Sequence, residues 1–344
     1  MEINIKKKAR FAILGAIIGD ALGTSMEFMK SNDAKKIIVA NNNFENGLIG
    51  KGPFNLCAGQ FTDDTEMALA NMSVIINLGK YDQDEVAKAY NKWFLSDPFD
   101  IGTTTRNSVS HTSAKKMVSS AKTANINSMS NGFLMRIFGL VALHYNKPAK
   151  DLIKAVKDDA TLTHGHSEVH RIAIIYSTML TMAIKGDSAY TIYNYGRYLA
   201  NLTTDVTTAI TDLIDHGSVQ SVYSPLFSKI YHAVDNNNTK FVYNYEAYDA
   251  NIMDGHNMGF VGYALWLLLF CLKNNYDYKT AMIKIAEKGG DVDTGCCIVG
   301  AVIGALHGDT IPKAWLTSVL KCNAKNRYKE YPLADPAVWT KWLP

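Results

Sequence analysis

Apolar residues recur along this chain at helical intervals, and the two-residue alternation of half-buried strands is scarce. The stretch DQDEVAKAYNKWFL opens with Asp82 and Glu85 in capping-box spacing and then places Val86, Tyr90, Trp93 and Phe94 on one face, which predicts a helix over 82–95. SEVHRIAIIYSTMLTMAIKG repeats the pattern with Val169, Ile172, Tyr176, Met179 and Ala183, and Gly186 supplies the stop. Further helices are predicted over 66–78, 205–215, 257–273, 278–288 and 294–307, with an amphipathic first helix ahead of them. Residues 41–60, rich in Asn and Gly, read as a long connection, and the polar stretch 235–251 as an excursion from the helical body.

Two segments, GAIIGDALG (15–23) and GAVIGALHG (300–308), carry glycines every four residues. Glycines so spaced share one helix face and admit another backbone, so the expectation is close helix packing and not a repeat. No composition break divides the 344 residues, and the chain is expected to form one domain, 1–344, large enough to bury a core without staples.

Charge adds little: 35 basic residues against 32 acidic ones leave +3, which implies no general pull toward nucleic acid or an anionic membrane. Five cysteines without a CxxC suit reduced thiols, with Cys296 and Cys297 in an apolar run, and a cytoplasmic location is expected. Lys6, Lys7, Lys8 and Arg10 before FAILGAII imitate a secretory leader, but Asp20 follows at once. The longest uncharged apolar run, 259–272, falls short of the roughly 20 residues that cross a bilayer.

The chemistry lies in acidic clusters at the mouths of apolar helices. FTDDTEMALA brings Thr62, Asp63, Asp64 and Thr65 to one such start, and GGDVDTGCC brings Asp291, Asp293 and Thr294 to another. Paired hard oxygen ligands suit Mg²⁺ or Mn²⁺ better than Zn²⁺. The plainer alternative is that each cluster caps its helix, since Asp and Thr favour N-caps. GDALGTSMEF adds Asp20 and Glu27, for which a solvated helix end and a surface carboxylate are the ordinary reading. PFDIGTTTRNS sets Asp100 before a polar turn. SMSNGFLMRIFGL puts Ser130, Asn131 and Gly132 where a helix opening would offer free N–H groups to a phosphate. In THGHSEVH, His164, His166 and His170 read as a polar turn leading into a helix more readily than as a zinc site.

The ordered set GDALG…E, FTDDTEMALA, DIGTTTRNS, SNGFLMR, THGHSE and GGDVDT resembles the ADP-ribosylglycohydrolase family from Gly15 to about Gly308. That resemblance implies an all-α, orthogonal helical bundle around two Mg²⁺ or Mn²⁺ ions. It implies Thr62, Asp63, Asp64, Asp291, Asp293 and Thr294 as metal ligands, with Glu27 and Asp293 in catalytic roles. Asp100, Asn131, Gly132, Met135 and His164 fall where the family borders its substrate. The implied reaction removes ADP-ribose from a modified acceptor, arginine favoured, and the implied partner is an ADP-ribosylated protein or a small ADP-ribosyl compound. A monomer, with neither nucleic acid nor membrane as partner, is expected. Two rivals are a non-catalytic ADP-ribose-binding relative and a metal-dependent phosphoesterase acting on a nucleotide diphosphate; all six implied ligand positions are filled, which argues against the first. Val292 departs from the family's usual small or polar residue.

Overall fold

The computed structural model describes residues 2–200 and 258–344, so the helix expected over 205–215 and the excursion at 235–251 lie outside the described residues. Those described residues form helices and their connections, without a strand. In chain order the helices are α1 (Glu2–Gly23), α2 (Ser31–Ala40), α3 (Asp63–Leu78), α4 (Gln83–Phe94), α5 (Thr103–Val109), α6 (Ala114–Thr123) and α7 (Phe138–His144). They continue with α8 (Ala149–Thr161), α9 (Ser167–Lys185), α10 (Ala189–Ala200), α11 (Val261–Lys273), α12 (Tyr278–Ala286), α13 (Val292–His307), α14 (Lys313–Leu320), α15 (Lys325–Glu330) and the single turn α16 (Pro336–Trp339). The all-α expectation therefore holds.

Local signals set several of these ends. The Asp82 carboxylate accepts the Glu85 N–H at 3.2 Å to open α4. Gly186 closes α9 in the left-handed conformation, at φ +105°. His166 caps the start of α9 by accepting the Glu168 N–H, and His170 is bonded to the His164 carbonyl, so the three histidines form the expected polar turn.

The glycine pattern explains the central packing. A Cβ on Gly15 would lie 2.2 Å from the Gly300 carbonyl oxygen, and one on Gly19 would lie 2.2 Å from that of Cys296. Gly304 is equally tight against Phe11, and Gly23 against Asp293, so α1 and α13 run antiparallel with their backbones in contact. Tyr278 ties its hydroxyl to the Gly15 carbonyl from α12, and Tyr176 ties its own to Ile298 from α9. Around this pair a continuous apolar core forms, in which Cys271, Cys296 and Cys297 are buried and all five cysteines are free.

The connection at 41–60 is ordered and pinned. Phe44 is buried, its carbonyl accepts the Trp315 indole N–H at 2.8 Å, and Gly59 abuts Ser318 of α14. No single helix among the described residues is long and apolar enough to cross a membrane.

Candidate active site

The antiparallel contact between α1 and α13 has a chemical consequence: Asp20, one turn from the end of α1, is carried to the N-terminus of α13. Asp20 is completely buried, and its four hydrogen bonds all run to the start of α3. Its Oδ1 accepts the Thr62 N–H and hydroxyl, both at 3.0 Å, and its Oδ2 accepts the Thr65 N–H at 3.0 Å and hydroxyl at 2.6 Å. The ordinary reading of Asp20 as a solvated helix end is thus corrected: it is the clamp that docks the TDDT turn on α1. The one signal for it in the sequence is a charge inside an apolar, glycine-spaced helix.

Helix α3 begins at Asp63, three residues before the periodicity predicts, and α13 begins at Val292, two before. Asp63 and Asp64 therefore sit in the first turn of α3, and Asp291 and Asp293 at the N-cap and first turn of α13. The capping alternative fails on geometry, because the N-cap residues Thr62 and Asp291 make no side-chain cap bond. The side chains turn instead toward one another: the Thr62 hydroxyl lies 3.2 Å from Asp64 Oδ2 and 3.4 Å from Asp293 Oδ2, and the Thr294 hydroxyl 3.4 Å from Asp64 Oδ2.

Opposite, Gly289 and Gly290 both take positive φ, +71° and +77°. A Cβ on Gly289 would stand 2.1 Å from the Met29 carbonyl oxygen, so only glycine permits the approach. Gly290 donates its N–H to Met29 and accepts that of Phe28, each at 2.9 Å, which staples the turn carrying Glu27 to the turn carrying Asp291. The Glu27 carboxyl is thereby buried, contrary to a surface position.

These carboxyls gather at the inner end of a cavity of about 760 Å³, within the range of small-molecule sites, roughly 300–1,000 Å³. Glu27, Asp63, Asp100, Asn131, Gly132, Met135, Asp291, Asp293 and Thr294 line it, as do Ser128, Ser130 and Phe260. Thr62 and Asp64 lie beneath the floor. Oxygens of Asp20, Asp64 and Asp293 come within 4.8 Å of one another, as do those of Glu27, Asp100 and Asp293, giving two groups that could each hold a metal ion and that share Asp293. Glu27 Oε2, Asp64 Oδ1 and Asp293 Oδ1 are buried without a hydrogen-bond partner. Such atoms are costly unless something positive faces them, so the donor set fits hard divalent cations. Burial, and then the repulsion of Asp293, Asp100, Asp291 and Asp63, pushes the Glu27 carboxyl far above the usual carboxylate range. Asp63, Asp64 and Asp293 move the same way, by burial first and their acidic neighbours second. Burial holds Asp20 at about 6 and Asp100 at about 7.

The SNG segment departs from expectation. Residues 129–131 pair with 259–261, the Asn131 N–H donating to Gly259 at 2.8 Å and the Val261 N–H to Met129 at 3.0 Å, so the backbone is extended there and α7 opens only at Phe138. Asn131 presents its amide to Asp291 Oδ2 at 2.7 Å. His164 is completely buried behind this turn and does not reach the cavity. Its Nε2 meets the Ser130 hydroxyl and its Nδ1 the Thr163 hydroxyl, both at 2.8 Å, while Arg136 bonds Thr163, Gly132 and Asp159. The expectation of a cleft histidine is thus replaced by a histidine that braces the wall. Asp100 lines the cavity and does not cap α5, whose N-cap is Gly102.

An ADP-ribosylglycohydrolase family model matches residues 1–341. The chain belongs to the ADP-ribosylglycohydrolase family. A protein of Acanthamoeba polyphaga mimivirus assigned as an ADP-ribosyl glycohydrolase, L543, is 46% identical over the full length of both chains. An ADP-ribosylarginine hydrolase of Serratia proteamaculans, Tri1, is 24% identical across 91% of this chain and 75% of its own. A solved structure described as an ADP-ribosylglycohydrolase-related protein complex superimposes with a TM-score of 0.62 at 21% identity, over 98% of this chain and 99% of that one, a likeness of fold. The chain is accordingly an ADP-ribosyl hydrolase by family.

Proposed function

We propose that this ADP-ribosylglycohydrolase cleaves the bond between C1 of the distal ribose and an arginine side chain, using two Mg²⁺ or Mn²⁺ ions. The observation that carries the reading is the set of orphaned, buried oxygens on Glu27 and Asp293, which line the cavity, and on Asp64 beneath it. Thr62, Asp63, Asp64, Asp291, Asp293 and Thr294 would hold the ions, with Asp20 behind them fixing the Thr62 turn, while Glu27 and Asp100 at the cavity wall stay available for the chemistry and the acceptor. When bound, such ions supply positive charge that orients ribose hydroxyls and makes water more acidic.

The chain's own residues do the rest. Glycoside cleavage passes through an oxocarbenium-like state, which carboxylates beside C1 stabilise. Once the neighbouring acidic charges are balanced by the ions and its carboxyl is ionised, Glu27, with one oxygen free of partners, would accept the proton of the attacking water, and Asp293 lines the same space. The turn at Asn131 and Gly132 supplies the wall of the cavity beside Asp291, where the rest of the ADP-ribosyl group would lie. Asp100 offers a carboxylate to the guanidinium, for which a two-point, charge-assisted contact is the strong geometry. The Serratia relative's name supports the same acceptor.

A panel of defined ADP-ribosylated substrates with Mg²⁺ or Mn²⁺ tests this. ADP-ribosylarginine should be cleaved faster than ADP-ribosylserine, releasing free ADP-ribose. Asp100→Asn should erase most of that preference while sparing the binding of free ADP-ribose. AMP as product would point to diphosphate cleavage, and a serine preference in the wild type would remove the arginine assignment.

A further inference from the structure

Phe28 is held in a conformation that a bulky side chain rarely adopts. Its φ is +62°, in the left-handed region, at a cost on the order of 1–3 kcal/mol unless the surroundings impose it. They do: the Phe28 N–H donates to the Gly290 carbonyl at 2.9 Å, in the staple between the two site turns. The outcome of that twist is specific. Glu27 goes inward among the acids, while the next side chain turns outward to line the cavity and stay 41% exposed.

Phe28 does not stand alone. Its ring meets that of Phe54 edge to face, with centroids 6.3 Å apart, and Phe54 meets Phe99 at 5.4 Å, both within the range of favourable aromatic pairs. Phe54 and Phe99 are themselves half-buried. The two ends of this arc are thus the sequence neighbours of Glu27 and Asp100, whose carboxylate oxygens approach within 4.8 Å. A chain of three rings thus runs between the neighbours of the two acids, and Phe28 is the member that lines the cavity.

The ligand chemistry that fits both features is a planar cation, which takes hydrogen bonds at its edge from carboxylates and stacks its face on an aromatic ring. In an ADP-ribosyl substrate the reacting C1 lies at the end remote from adenine. A ring adjoining Glu27 therefore meets what lies beyond C1, the acceptor. We propose that Phe28, braced by Phe54 and Phe99, is a shelf for the guanidinium plane of the arginine acceptor, held over Glu27 and Asp100. This deepens the arginine reading and rests on it.

The test uses the metal-loaded full chain with ADP-ribosylarginine and ADP-ribosylserine. Phe28→Gly removes the ring together with the left-handed strain, so the fold is retained, and Phe28→Leu keeps bulk without a π face. Both variants should lose roughly three- to thirty-fold in kcat/KM on the arginine substrate, the range of an aromatic–cation contact. Both should change the serine substrate by less than about twofold and leave the Kd of free ADP-ribose unchanged. An unchanged arginine-to-serine ratio, an equal loss on both substrates, or weakened ADP-ribose binding would each overturn the shelf. Wild-type preference for serine, by contrast, overturns the arginine reading itself whatever the variants do.

Discussion

Stripping divalent cations from this protein should invert its dependence on pH. Asp20 is completely buried, and burial holds its carboxyl at about 6 against an ordinary 3.8, even though four hydrogen bonds from Thr62 and Thr65 oppose the shift. A shift of that size, about two units at 1.36 kcal/mol each, is a penalty of about 3 kcal/mol for holding the ionised form in the fold. The raised folded-state value means that the native protein keeps a proton the unfolded chain releases. Metal-free stability is therefore fully present below about 4 and falls as the pH rises through 6. Asp100 extends the window to about 7, and Glu27, Asp63, Asp64 and Asp293 are displaced in the same direction by burial and mutual repulsion. Bound cations reverse the slope, because they bind the ionised carboxylates and bind them better as protons leave. Thermal unfolding followed by far-ultraviolet circular dichroism, in chelator and in Mg²⁺ or Mn²⁺, reads both cases. In chelator, Tm should drop by at least ~6 °C from about pH 4 to pH 8, at about 2 °C per kcal/mol for a chain of this size; with metal it should hold or rise. A metal-free Tm that climbs over that interval would refute the reasoning, since the buried acids would then have to be neutralised by something within the protein.

Asp63→Asn and Asp293→Asn should each abolish turnover and most of the Tm gain on adding metal while leaving the helical dichroism nearly intact; wild-type activity and metal content in either variant would displace the site. Gly19→Ala would put a Cβ 2.2 Å from the Cys296 carbonyl oxygen, and forcing α1 from α13 should cost at least about 1–3 kcal/mol in urea unfolding, whereas no loss would mean that the backbones do not touch. Arg327→Ala strips the buried Glu66 of the guanidinium that bonds it at 2.5 and 2.7 Å, and unfolding should become easier by about 3–5 kcal/mol. In the background of Glu66→Gln most of that loss should vanish, because the uncompensated charge is gone.

What the sequence discloses here, and what it withholds, follows the range of the interaction. The cap at Asp82, the stop at Gly186 and the glycine face of α1 are legible because each depends on residues within a turn or on a periodic face. The two acidic pairs are legible as chemistry for the same reason, since like charges packed at an apolar helix start call for a partner. The glycine face says that some backbone will press on α1, but not which one. Asp20 is misread on exactly that gap in information: its four bonds go to Thr62 and Thr65, 42 and 45 residues away, and become visible only once α3 is docked. The SNG turn fails as a helix start because residues 259–261, far along the chain, take up its backbone in an extended pairing. His164 is displaced from the cleft by the Ser130 hydroxyl in front of it and the Thr163 hydroxyl behind it, both held in a network with Arg136 that no local pattern reveals. Phe28 is the sharpest case. Nothing in TSMEFMK marks a left-handed phenylalanine, because the twist comes from the Gly290 carbonyl more than 260 residues later, and its purpose is apparent only when Glu27 points one way and the ring the other. Local grammar thus places the acids on helix starts, and the long-range contacts that overrule it are the ones that shape the site around them.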